Sequence, residues 1–71
     1  MNDEKCYLLF WGYHSVAAAS DRLNGHYIEN EIVRAPVKIS NGCSFAVMIN
    51  KNDMEMSKIL LDKQIKGINC L

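Results

Sequence analysis

The stretch Ala35-Pro36-Val37-Lys38-Ile39-Ser40-Asn41-Gly42-Cys43-Ser44-Phe45-Ala46-Val47-Met48-Ile49 decides how this chain folds. Pro36 fixes its own φ and biases Ala35 toward an extended conformation, so a strand arriving from the N-terminal side ends there. Asn41-Gly42 gives the backbone access to positive φ and marks a turn. Phe45 to Ile49 is an apolar run of strand length. Two strands therefore meet across a turn with no helix between them.

On the N-terminal side, Tyr27 to Arg34 mixes β-branched and charged residues and predicts an exposed edge strand. Before it, His14 to Asn24 predicts a helix: Ala17, Ala18 and Ala19 supply propensity, and Val16, Ala19 and Leu23 recur at helical spacing. Gly25 reads as its C-terminal stop. Lys5 to Trp11 is a nearly continuous apolar run ending at Gly12, as expected of a central strand.

On the C-terminal side, Ser44 to Asn50 forms the second buried strand. Asn52, with Glu55 three positions on, predicts a capped helix start. That helix runs to about Lys66, and Gly67 ends it before a last strand, Ile68 to Leu71. Met54, Leu61 and Ile65 fall on one side of it, and Met56, Ile59 and Leu60 on the other, which is expected to be partly exposed.

The order is β-α-β-β-α-β. Right-handed crossovers convert it into one four-stranded antiparallel sheet, order 4-1-3-2, with both helices on one face. This is an α+β, ferredoxin-like arrangement, and residues 1–71 form a single domain.

Composition narrows the function. Eight basic residues balance eight acidic ones, so no net field draws the chain to nucleic acid or an anionic membrane. No apolar run approaches the length of a bilayer span. The acidic start Met1-Asn2-Asp3-Glu4 is unlike a signal peptide. Three cysteines, an odd number, fit a cytoplasmic protein with free thiols better than a disulfide framework. The topology places Cys6 and Cys70 near each other at the bottom of neighbouring strands; two separate thiols are the expected reading, and a disulfide between them is the alternative that a reducing cell disfavours. No zinc spacing, phosphate-binding glycine loop or nucleophile elbow occurs. Neither a metal nor a cofactor is expected.

Topology alone gathers the remaining chemistry at the other edge. The loop around Cys43, the turn Trp11-Gly12-Tyr13-His14, the first helix N-terminus, Arg34 and Lys38 all belong there. Helix N–H groups and nearby cations favour an anion. A thiolate or persulfide on Cys43 is stabilised by such surroundings, which lower the thiol pKa below about 8.5. His14 is placed to donate or accept a proton. Plainer readings stand beside each. Cys43 as a small buried hydrophobe, His14 as a surface or capping residue, and Arg34 and Lys38 as solvated edge charges all fit the same sequence.

Tyr7-Leu8-Leu9-Phe10, then His14, then Pro36-Val37-Lys38-Ile39-Ser40, then Cys43 with Phe45-Ala46-Val47 resemble the selenium/sulfur carrier protein-like family of small bacterial domains. The resemblance spans essentially the whole chain. Ser44 stands where the family has glycine after the cysteine, and Val37 where an arginine often follows the proline. The resemblance implies a carrier, not an enzyme. Cys43 would hold sulfur or selenium as a persulfide or selenosulfide and hand it to a partner enzyme, with His14, Arg34 and Lys38 assisting. The alternative is a non-catalytic interaction or regulatory module, with self-association into a homodimer as one form. A thiol redox enzyme fits less well, because neither Cys6 nor Cys70 is placed to resolve an intermediate on Cys43.

Overall fold

In the computed structural model, which describes residues 4–35 and 45–70, the expected element order is present. Strand β1 (Lys5–Leu9) leads to helix α1 (Tyr13–Gly25), then to the strands β2 (Asn30–Arg34) and β3 (Phe45–Asn50). A 3₁₀ turn (Lys51–Asp53) enters helix α2 (Met54–Leu61), and a second (Asp62–Gln64) leads to strand β4 (Gly67–Cys70). Pro36, Asn41 and Gly42 lie outside the described residues. The sheet order is β2-β3-β1-β4 with every neighbour antiparallel. This is the ferredoxin-like arrangement.

Alternation along the strands sorts the side chains into two layers. Cys6, Leu8 and Phe10 of the first strand segment join Val47 and Ile49 of β3 beneath Val16, Ala19 and Leu23 of α1 and Leu61 of α2. All of these are essentially inaccessible to water. The opposite sheet face is not bare. Leu9 and Ala46 are buried there with Ala35, and Tyr7 and Val33 pack beside them. At the lower end of the same face, Lys5 Nζ donates to Asn50 Oδ1 (2.6 Å), and Asn50 Nδ2 donates to Glu29 Oε1 (3.1 Å). The face is thus apolar near one edge and polar near the other.

Helix α1 does not stop on its glycine. Gly25 is the last helical residue, and the left-handed conformation falls two residues later on Tyr27, with φ of 59°. The Tyr27 N–H donates to Asn24 O and the Ile28 N–H to Leu23 O, both at 3.0 Å. This ladder is that of a Schellman cap, in which the left-handed position is usually glycine. The cap consumes the expected start of the second strand, so β2 begins at Asn30. A polar clasp holds the junction. Ser20 Oγ and Asn30 Oδ1 lie 2.6 Å apart, and Asn30 Nδ2 donates to Asn24 Oδ1 and to Ile28 O, each at 2.8 Å.

The second helix also departs from expectation. No side chain caps it: Asn52 lies inside the 3₁₀ turn, and the residue preceding α2, Asp53, makes no capping hydrogen bond. The α-helix ends at Leu61, not near Lys66, and Gly67 opens β4 where it was expected to end the helix. Met54, Leu60, Leu61 and Ile65 all pack on the core, while Met56 and Ile59 remain exposed. Leu60 therefore belongs to the inner side, and its carbonyl also accepts from Arg22 Nε at 3.1 Å, tying α2 to α1.

The two cysteines expected as separate thiols are joined. Cys6 and Cys70 stand directly opposite each other in the β1–β4 register, and their sulfurs form a disulfide between residues 64 apart in sequence. Direct opposition in an antiparallel pair brings the Cβ atoms within bonding reach of a bridge, a constraint that composition cannot express.

Three stability measurements follow from these features. Tyr27 is 98% exposed, so Tyr27→Gly relieves the left-handed strain without loss of packing and raises unfolding stability by about 1 kcal/mol in urea melts. Gly25→Ala, at a helical position with open space around a new Cβ, is stabilising as well. Reduction of Cys6–Cys70 releases a large loop and lowers stability by about 4 kcal/mol on the loop-entropy estimate, read by circular dichroism with and without dithiol.

Candidate functional site

The antiparallel registers bring one set of chain ends to a single edge. Leu9 pairs with Ala46 and with Gly67, and Arg34 pairs with Phe45. The residue following Leu9, the start of α1, the end of β2 and the start of β3 consequently lie together. Of the sequence candidates, His14 and Arg34 are on this edge, both exposed. Cys43 and Lys38 lie outside the described residues.

The edge is built of aromatic rings and cations. The rings of Tyr13 and Phe45 meet edge to face, 5.2 Å between centroids and 73° between planes. The Arg34 guanidinium sits 5.8 Å from the centre of the same Phe45 ring. On the other side of the turn, Lys66 Nζ stands 4.7 Å from the ring centre of Trp11, a residue that is 74% exposed. Each cation lies within the range at which a ring quadrupole attracts it. The Lys66 N–H donates to Leu9 O at 2.7 Å, fixing the approach to β4.

Helix α1 opens into this edge from an extended Gly12, which has no side chain to cap the first N–H groups. Its first turn holds no acidic residue, and the Val16 N–H makes the first helical bond to Gly12 O at 3.1 Å. A helix that starts without an acidic or hydroxyl cap leaves its dipole available to an incoming anion.

Sequence reasoning placed the turn 11–14 here but missed Phe45 and Lys66 as ring and cation partners. The signal was present in the pairing of β2 with β3: once Arg34 is known to face Phe45, the stack on Tyr13 follows from the start of α1 above it.

The opposite edge carries sulfur. Met54 Sδ lies 3.6 Å from Cys70 Sγ and 3.9 Å from Cys6 Sγ. With both cysteines in the disulfide these are packing contacts, since no S–H remains to donate. Cys6 is fully buried and Cys70 exposed. The disulfide lies roughly 10 Å down β1 from Leu9, so neither of its sulfurs belongs to the aromatic edge.

A family model described as "Putative Se/S carrier protein-like" matches residues 5–69. The chain belongs to that family. The match takes in the described strands and helices of this Se/S carrier-like domain up to Asn69, one residue short of the end of β4, with the sequence between β2 and β3. No curated protein and no solved structure matches it. Among the described residues no helix is long and apolar enough to cross a membrane.

The Tyr13–Phe45 contact joins the start of α1 to β3 and is measurable by a double-mutant cycle. Tyr13→Leu and Phe45→Leu, singly and together, give a coupling of about 1 kcal/mol in unfolding stability, the usual worth of an edge-to-face pair.

Proposed function

We propose that this protein is a sulfur or selenium carrier whose cargo is held on Cys43. The observation that carries the assignment to this residue is the Cys6–Cys70 bond. It occupies the other two of the three cysteines, so Cys43 is the remaining one in the sequence. Family membership supports the carrier role in general terms.

Cys43 stands two residues before Phe45 in sequence, and Phe45 is the ring that holds Tyr13 and Arg34 together. The chemistry needs a thiolate. The Cys43 thiolate attacks the terminal sulfur of a donor persulfide, a new S–S bond forms, and the donor leaves as its own thiolate. The selenium step is the same, with a donor selenosulfide and terminal selenium. The product on Cys43 is again an anion at neutral pH, and transfer to an acceptor enzyme repeats the step in reverse. Arg34, Lys38 and the uncapped start of α1 favour the charged form, and His14 shuttles the proton.

A second reading, an interaction module, draws support from Met56 and Ile59, which expose large apolar side chains on α2. It requires no reactive thiol, and the two readings therefore separate on one measurement.

That measurement is alkylation as a function of pH under non-reducing conditions, read by intact and peptide mass spectrometry. The expected result is a single label on Cys43, added rapidly below neutral pH, and the mass gain of one sulfur atom after exposure to a persulfide donor. Arg34→Ala slows labelling about two- to fivefold, the effect of losing roughly 0.4–1 kcal/mol of charge stabilisation. A Cys43 that labels at the rate of an ordinary thiol and takes up no sulfur leaves the interaction module as the function.

A further inference from the structure

We propose that the reduced form of Cys6 and Cys70, together with Met54, is a binding site for a monovalent soft metal ion, Cu(I). The three sulfurs come from β1, β4 and the first turn of α2, and they converge at the edge of the sheet farthest from His14 and Arg34.

The geometry is that of a trigonal site with one side closed. An ion bound equally by three sulfurs at about 2.3 Å, the usual metal–thiolate length, sits in a triangle with sides of about 4 Å. Two sides of this triangle already have nearly that length: 3.6 Å from Met54 Sδ to Cys70 Sγ and 3.9 Å to Cys6 Sγ. The third is the disulfide bond itself. Breaking it frees the two cysteine side chains to separate by rotation about χ1, while their backbones stay in register on neighbouring strands.

The donor set selects the ion. Thiolates and a thioether are soft ligands that favour Cu(I). Among the described residues no group of three His, Cys, Asp or Glu side chains is placed to hold a metal. Zinc, which asks for four ligands, is therefore poorly served, whereas three sulfurs complete a Cu(I) site. The position of Met54 matters most. A flexible thioether touching both sulfurs of a disulfide fills core space in the oxidised protein and supplies the third ligand in the reduced one. Cys6 lies in the dry interior and Cys70 at the surface, so the ion enters past Cys70 and is shielded from water on its inner side.

The chemistry balances without a redox change at the metal. A small-molecule thiol or dithiol reductant transfers two electrons to the Cys6–Cys70 bond, which takes up two protons to give two thiols, and the reductant leaves as its own disulfide. Cu(I) then displaces both protons and is held by two thiolates and the Met54 thioether. A small-molecule disulfide, split into two thiolates as it takes two electrons from the pair, re-forms the Cys6–Cys70 bond and expels the ion as Cu(I). The site is thus open only in the reduced protein, and its sequence positions, 6, 54 and 70, are too far apart for any motif to reveal.

The test uses full-length protein with Cys43→Ser, so that the third thiol takes no part. It is reduced with dithiol, freed of reductant under anaerobic conditions and titrated with Cu(I) against a chromophoric Cu(I) chelator. The expected result is one Cu(I) per chain in a monomeric species, with sulfur as the three scatterers in X-ray absorption. Met54→Leu, which preserves volume, is expected to weaken binding at least tenfold and to leave two sulfur scatterers. Cu(I) also raises the urea midpoint of the reduced protein and not that of the oxidised one. Unchanged affinity in Met54→Leu, two chains per copper, or no uptake by the reduced protein overturns the proposal. The X-ray absorption count decides the matter even where the leucine variant folds poorly.

Discussion

The double pairing of β1 is the constraint on which the structure depends. The strand lies between β3 and β4, and each of its residues from Cys6 to Leu9 is opposed on both sides. Its even-numbered residues complete the layer beneath the helices, and Leu9 nucleates the small apolar cluster on the other face. A strand of five residues therefore sets the register of two others, the depth of the core and the level at which both edges of the sheet lie. A one-residue slip would send Cys6 and Leu8 to the polar side and break both edges at once.

That shared register also explains why the two ends of the sheet differ in chemistry. At one end β1 gives way to an aromatic turn, and Arg34, Phe45, Tyr13, Trp11 and Lys66 interleave cations with rings. At the other, Cys6, Cys70 and Met54 place sulfur against sulfur. On the open face this second end also carries the polar row Lys5–Asn50–Glu29, away from the apolar cluster around Leu9. Two kinds of surface are thus held a few residues apart on one rigid strand, each with its own chemistry.

Much of this was legible in the sequence. The apolar run through Leu8 and Leu9, the alanine-rich helix and the proline-to-glycine segment before Phe45 give the element order, and handedness then gives the sheet. The convergence of His14 and Arg34 followed from topology. What escaped was decided by contacts distant in sequence or by local competition. Gly25 promised the helix stop, but the sequence from Leu23 to Ile28 closes its cap with Tyr27 in the left-handed position. Asn52 and Glu55 had the spacing of a capping box, yet the tight turn after β3 left Asn52 inside it. Free thiols were inferred from an odd cysteine count, and the exact opposition of Cys6 and Cys70 overrode that inference. The placement of Cys43 and Lys38 lies outside the described residues.

The cross-strand disulfide has a mechanical meaning. It links a residue near one end of the described chain to a residue near the other, with both helices and the whole sheet enclosed between them. A force applied at Lys5 and Cys70 is carried across a single covalent bond, and the hydrogen-bond ladder behind it bears almost none. A motor that unfolds proteins by drawing in the chain from beyond β4 would meet a closed ring at Cys70. In the oxidised state the fold resists being pulled apart from its ends however weak its core. In the reduced state the same pull peels β4 from β1 pair by pair, and the sheet opens from that edge.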